Sequence, residues 1–196
     1  MRLTFSRWTL IAAAAVAGTA QAHPGHAGGA LAGLAHPFQG FDHLLAMLAV
    51  GIWAWQLGGR ARWMLPLSFV GMLAAGAALA VAGFALPMVE SGILISVLLL
   101  GALIAAAKSM PTGVAAGMVG LFALFHGYAH GAEMPALAAP WQYGLGFIGA
   151  SALLHGLGLA TASSLRLHAG LVRISGVAIA ASVPVSALFL MLARPV

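Results

Sequence analysis

The chain has 196 residues, of which 62% are hydrophobic and only 6% are charged. Soluble domains carry about 25% charged residues, so this composition excludes a soluble protein and indicates an all-α integral membrane protein. The net charge of +5 comes from eight basic and three acidic residues. The basic residues stand at the ends of apolar runs and form no patch, so we expect the lipid bilayer and no nucleic acid as a partner.

Residues 1–22 have a basic start, a short apolar core and a small-residue cleavage site, which is typical of a secretory signal peptide. Cleavage would leave residues 23–35 as a periplasmic N-terminus that begins with His23 and includes His26. These imidazoles and the new α-amine could capture a metal ion, or the segment could be a flexible polar tether. An uncleaved signal anchor is the rival topology.

Residues 36–196 are expected to form a bundle of six transmembrane helices. Each apolar run is long enough to cross a bilayer, and Gly, Pro or polar residues separate the runs. The predicted spans are about 37–57, 63–86, 91–107, 111–130, 142–163 and 170–192.

The basic residues predict the orientation of the bundle. Arg60 and Arg62 follow span one, Lys108 follows span three, and Arg166 and Arg173 flank the link between spans five and six. All five therefore fall on one side, which the positive-inside rule makes cytoplasmic. We expect a multi-pass protein of the bacterial inner membrane with both mature termini in the periplasm.

Span one opens with ionisable residues that are costly inside a membrane and are usually functional there. His36 and His43 are seven residues apart, so a continuous helix would place them on one face. Asp42 would point to the side, where it could reach a neighbouring helix or orient a histidine. We interpret this face as part of a metal site.

Span four ends with a second polar group. His126 and His130 are four residues apart, a spacing that places two imidazoles on one helix face for one ion, and Glu133 continues the stripe. The topology puts this group at the same depth and side as His36, Asp42 and His43. Earlier in the span, residues 113–117 carry a GxxxG pattern, which favours close approach of another helix.

His155 lies about 13 residues into span five, which places it roughly 20 Å along the helix and past the bilayer midplane. One reading makes it a deeper station on an ion path. The other makes it a packing residue that is hydrogen-bonded to a backbone carbonyl. Because the chain contains no cysteine, a metal site must use imidazole, carboxylate, thioether, backbone groups or water, and such a set suits divalent Ni, Co, Zn or Cu.

Three motifs carry a family resemblance. They are HPxxGxDHxLAMxxVG from His36 to Gly51, FHGxAHGxEMP from Phe125 to Pro135, and LHG from Leu154 to Gly156. Together they resemble the signatures of the HupE/UreJ family of nickel and cobalt permeases. The resemblance implies secondary uptake of nickel or cobalt for hydrogenase or urease maturation, and no enzymatic activity. It also implies that the metal-site residues are His36, Asp42, His43, His126, His130 and Glu133.

Two other functional classes compete with transport. Histidine pairs on helices also hold haem in redox proteins. A membrane metalloenzyme is disfavoured because the sequence has no HExxH motif. The sequence also has no phosphate-binding loop, and transport would not need one, because a doubly charged ion that moves inward gains energy from the membrane potential. The sequence leaves the driving force or coupling ion open, and no tightly bound cofactor is expected. The sequence leaves open whether the chain forms a homo-oligomer.

Overall fold

The computed structural model describes residues 29–134, 139–164 and 169–192, with side chains described at 29–134, 139–164 and 170–184. These residues form α-helices and one 3-10 turn, with no strand among them. The helices are α1 (Ala30–Ala35), α2 (Phe41–Leu57), α3 (Ala61–Val81), α4 (Val89–Ala106), α5 (Thr112–Ala132), α6 (Pro140–Ser164) and α7 (Ala169–Leu192), and the 3-10 turn is His36–Phe38.

Each predicted span overlaps one of the helices α2 to α7, with ends that differ by up to five residues, and the all-helical fold is confirmed for the described residues. Within the described residues, α3, α4, α5 and α6 are long and apolar enough to cross a bilayer. The apolar helix α2 has 17 residues, and the corresponding apolar part of α7 is Gly170–Pro184. Six crossings therefore stay a prediction. The predicted signal peptide lies outside the described residues.

A short turn reverses the chain between α2 and α3, which pack side by side. Between α2 and α3, Gly58 has φ 74° and Gly59 has φ 50°. This left-handed conformation costs glycine little because it has no Cβ. At the same end of the bundle, the Gln56 side chain donates to the carbonyl of Ile104 at 3.0 Å. This bond joins the end of α2 to the end of α4.

The bundle is built from three closely packed pairs, in which α3 with α5 and α2 with α6 run parallel and α4 with α7 runs antiparallel. In the first pair, a Cβ at Gly127 would overlap the carbonyl of Leu73. In the third pair, Gly101 and Gly176 face each other across the contact. Because these glycines lack side chains, the backbones approach closely and dispersion contacts can hold the helices together.

The GxxxG prediction named the wrong glycines. A Cβ at Gly113 or at Gly117 would have no atom of another residue within 4 Å, whereas Gly120, Gly127 and Gly131 contact α3. Gly120, Gly127 and Gly131 are spaced by seven and four residues, so they form one stripe along α5, and this stripe packs on α3. Gly113 continues the stripe but lies in the first turn of α5, where an added Cβ would meet no neighbour.

Helix α2 occupies the centre of the bundle. Met47, Val50 and Trp53 have no exposed surface, and α2 contacts α3, α4, α6 and α7. The outer helices instead expose large apolar side chains, among them Leu98, Leu153 and Ile174. Such an apolar exterior is expected where lipid replaces water.

Charge is segregated between the two ends of the bundle. One end, here called the basic end, carries Arg60, Arg62, Lys108 and Arg173 beside the turns that follow α2 and α4 and the start of α7. Arg173 donates from Nε to the carbonyl of Ala105 at 2.8 Å, which ties α7 to the end of α4.

The opposite end, here called the acidic end, carries all three acidic residues of the chain, Asp42, Glu90 and Glu133. Glu90 lies in the first turn of α4. A carboxylate in this position interacts favourably with the helix dipole, which explains why the helix begins before it.

Candidate metal site

The first polar motif does not form one continuous helix. His36 lies in the 3-10 turn with Pro37, and Gly40 is extended (φ −107°, ψ 115°) before α2 begins at Phe41. The prediction that His36 and His43 share one helix face was therefore wrong. Proline at the start of the turn and the extended glycine interrupt the helical hydrogen bonding.

Residues 30–35, assigned from the sequence to the N-terminal segment, form helix α1. This helix packs on α6, where Gly33 lies against the backbone of Tyr143 and Gly146 lies against Ala30. The contact fixes the chain immediately before His36. It therefore helps to set the position of His36 over the acidic end.

The second motif ends α5 as the spacing predicted. His126 and His130 lie one turn apart on the same helix, and both side chains are buried. Helix α5 ends at Ala132, and Glu133 follows as its cap, with a side chain that is 58% exposed. Glu133 Oε2 is 3.1 Å from His36 Nε2. The end of α5 and the 3-10 turn thus meet at the acidic end.

Three residues from these two segments form a cluster of metal-ligand type. One nitrogen each from His36 and His130 and one oxygen of Glu133 lie within 4.8 Å of one another. Two ligand atoms on opposite sides of one ion are about 4 Å apart, so small side-chain rotations would suffice to close this set on an ion. Both ring nitrogens of His130 are buried without a hydrogen-bond partner among the described residues. Buried polar atoms are almost always paired, so an unpaired imidazole indicates a functional group.

His43 and Asp42 extend this cluster inward. The His43 ring lies 4.0 Å from the His130 ring, measured between centroids. Asp42 Oδ1 accepts a hydrogen bond from the backbone N–H of His43 at 2.9 Å and lies 3.9 Å from His43 Nε2. Asp42 is therefore placed beside His43, one of the two positions that the sequence allowed for it.

His126 is the deepest histidine of this group, and it has no exposed surface. Its Nδ1 lies 3.2 Å from His43 Nδ1, and its Nε2 lies 2.8 Å from Ser96 Oγ on α4. Unlike His130, it has both ring nitrogens engaged with other side chains. Helices α2 and α5 therefore meet through the imidazoles of His43 and His126, at the shared depth that the sequence predicted for the two motifs.

His155 lies further from the acidic end. It packs against Gly51 of α2, eight residues beyond His43, which is about 12 Å along a helix. Its ring is 4.9 Å from the Phe69 ring, and the Phe69 ring is 5.9 Å from the His126 ring. Both ring nitrogens of His155 are buried without a partner among the described residues. The backbone-bonded packing role that the sequence allowed for His155 is therefore not the one observed.

An apolar groove of about 330 Å³ between α3 and α6 also reaches His130. Leu73, Ala77, Trp141 and Phe147 contribute to its walls. Apart from His130 it offers few polar groups, so it provides no second ligand set. The polar cluster at the acidic end is the better location for an ion.

His23 and His26 lie outside the described residues, so their predicted capture role stays a prediction.

Three residues that contact the polar cluster were not predicted from the sequence. Ser96 had a signal, because a hydroxyl in the middle of an apolar span usually bonds to another helix. Phe69 and Tyr143 had none, since aromatic residues are ordinary in such helices. Tyr143 lies 5.7 Å from the His36 ring.

Comparison with known proteins supplies an independent finding. The family model described as HupE / UreJ protein matches residues 11–185. Protein HupE of Rhizobium leguminosarum bv. viciae is 49% identical over 175 residues, which cover 88% of this chain and 92% of that protein. No solved structure matches the chain.

Proposed function

The chain belongs to the HupE/UreJ family, and on that premise we propose that it imports a divalent transition-metal ion, nickel first and cobalt second. HupE/UreJ is a metal-transport family and not a family of enzymes. The observation that carries the proposal is the convergence of His36, His130 and Glu133 from two distant segments. Imidazole and carboxylate are suitable ligands for these ions, and no thiolate is present to favour softer ones.

The proposed path begins at the acidic end. Glu133 is exposed and bonded to His36, so this pair would meet the hydrated ion first. His130 has two free ring nitrogens and would take the ion from them, with His43 and Asp42 next to it. His23 and His26 would deliver ions to this opening if cleavage exposes them.

The second half of the path leads to His155. The Phe69 ring is close to the rings of both His126 and His155, so we expect it to move as the ion passes. Two unpaired nitrogens on His155 then offer a second stop before release at the basic end. The positive-inside rule supports a cytoplasmic basic end and a periplasmic acidic end in the bacterial inner membrane.

The membrane potential is sufficient to drive this movement. A doubly charged ion gains about 2.3 kcal/mol per charge per 100 mV, or about 4.6 kcal/mol. That corresponds to an accumulation ratio on the order of 10³. Uptake of this kind would supply nickel for the maturation of hydrogenase or urease.

Haem binding is the competing function, and the family does not favour it. The geometry also disfavours it, because the His43 ring lies 4.0 Å from the ring of His130 and 4.8 Å from that of His126. Rings in direct contact leave no space for a macrocycle between them. A purified protein without a Soret band would agree with this reasoning.

The test is uptake of radioactive nickel by purified protein in liposomes with a negative interior potential. His130→Phe keeps a ring in the cluster and removes both nitrogens, so we expect uptake to fall at least about tenfold. Gly117→Ala is the matched control on the same helix, since its new methyl group meets no neighbour. Full uptake by His130→Phe would refute the proposed path. Competition by cobalt against nickel would establish the order of preference.

A further inference from the structure

Ser96 on α4, His126 on α5 and His43 on α2 form a chain of buried polar contacts. Ser96 Oγ donates to the carbonyl oxygen of Ile93 at 2.6 Å and lies 2.8 Å from His126 Nε2. His126 Nδ1 lies 3.2 Å from His43 Nδ1. Ser96 and His126 have no exposed surface, so water does not compete for these bonds.

The position of each proton follows from the first bond. A carbonyl oxygen only accepts hydrogen bonds, and two oxygens 2.6 Å apart need a proton between them. The single hydroxyl proton of Ser96 is therefore directed at Ile93. Ser96 Oγ must then accept at its second contact, and His126 must donate from Nε2.

The same reasoning continues to His43. A neutral imidazole carries one proton, so His126 Nδ1 has a lone pair once Nε2 holds the proton. The bond between the two Nδ1 atoms needs one proton, and only His43 can supply it. His43 is thus fixed as the Nδ1–H tautomer, and its Nε2 presents a lone pair.

That lone pair is in a suitable place for an ion. His43 Nε2 lies 3.9 Å from Asp42 Oδ1, close to the separation of two ligand atoms that share one metal. Two electron-rich atoms at this distance repel each other weakly unless a cation lies between them. The ring of His130, with its unpaired nitrogens, lies next to the same point.

We propose that Ser96 and His126 act as positioning residues that set the tautomer of His43, and that His43 Nε2, not His126, is the metal ligand. The inference rests on the proposed transport function and changes the role that the sequence predicted for His126. Outer residues that fix the tautomer of a histidine ligand typically contribute 10–100-fold to metal affinity. Ser96 would therefore determine affinity without touching the ion.

The first experiment does not depend on transport. ¹⁵N spectra of histidine-labelled, metal-free protein in lipid nanodiscs distinguish the two tautomers of each ring. We expect His126 as Nε2–H and His43 as Nδ1–H. Ser96→Ala removes the acceptor and should mix the tautomers of both rings, whereas Ser96→Thr keeps the hydroxyl and should preserve them. A wild-type His126 that is protonated on Nδ1 would overturn the proposal, whatever the variants do.

The second experiment counts ligands. X-ray absorption of the nickel-loaded protein reports the number of imidazoles on the metal. His126→Asn should leave that number unchanged, and its amide oxygen can still accept from His43. His130→Asn should lower the number by one. Loss of one imidazole in His126→Asn would show that His126 is a ligand and would overturn the proposal.

Uptake kinetics provide the third readout. Ser96→Ala should raise the KM for nickel about tenfold, and Ser96→Thr should return it towards the wild-type value. An unchanged KM for a folded Ser96→Ala protein would contradict the positioning role. If the wild-type protein neither binds nor moves nickel, the proposed function is rejected, and the tautomer spectra then decide the proton arrangement alone.

Discussion

Helix α5 offers two glycines at which the same substitution should have opposite effects. A Cβ at Gly127 would lie 2.6 Å from the carbonyl carbon and 2.8 Å from the Cα of Leu73, in addition to overlapping its carbonyl oxygen. Ordinary contact begins at 3.4 Å, so the backbone of α3 would have to retreat by more than about 0.8 Å. At Gly117 a Cβ meets nothing within 4 Å.

These geometries give the expected magnitudes. Overpacking a well-packed contact costs about 1–3 kcal/mol, and here the obstacle is backbone, which relaxes poorly. Replacing an exposed glycine in a helix interior by alanine gains about 0.5–1 kcal/mol. The two variants should therefore differ by about 1.5–4 kcal/mol. For a chain of this size, each kcal/mol shifts the melting temperature by about 2–4 °C.

The assay is thermal unfolding of both variants in the same detergent, followed by tryptophan fluorescence. Gly127→Ala should melt below the wild type and Gly117→Ala at or above it. Gly127→Ala should also lose uptake, because it moves α5, which carries His126 and His130, relative to Phe69 on α3. Equal melting temperatures for the two variants would refute the close contact between α3 and α5.

Three further outcomes follow from individual contacts. His130→Phe should lower uptake but raise the free energy of unfolding by about 1–2 kcal/mol, because two unpaired buried nitrogens disappear. A lower melting temperature would mean that these nitrogens have partners. Arg173→Ala should lower the free energy of unfolding by about 0.5–1.5 kcal/mol, because the bond to the carbonyl of Ala105 is lost, and should leave nickel affinity unchanged. Arg173→Ser, a second truncation, should behave in the same way. A changed KM for nickel would contradict the position of Arg173 at the basic end. Glu133→Gln keeps a hydrogen-bonding group opposite His36 but removes the negative charge. Uptake by this variant should be slower and less sensitive to ionic strength than uptake by the wild type. Equal salt dependence would argue against ion capture by Glu133.

The sequence alone determined the class of protein and the identity of most of the polar cluster. A chain with so few charges must place its apolar surface in lipid, and helices are the structure that satisfies the backbone there. Ionisable residues in such runs are costly, so a functional role for His36, His43, His130 and Glu133 could be predicted without coordinates. The i, i+4 spacing of His126 and His130 fixed their common face because it depends on local helix geometry alone.

Only the tertiary structure decided how these residues are arranged. The break at Gly40 separates His36 from the helix of His43, and yet both reach the ring of His130, because α1 packs on α6 and holds the 3-10 turn beside the end of α5. Ser96 and Phe69 enter the site from helices whose sequences are ordinary apolar runs. Periodicity within a helix fixes which side chains share a face. It contains no information about which other helix meets that face, since this depends on contacts between residues far apart in the chain.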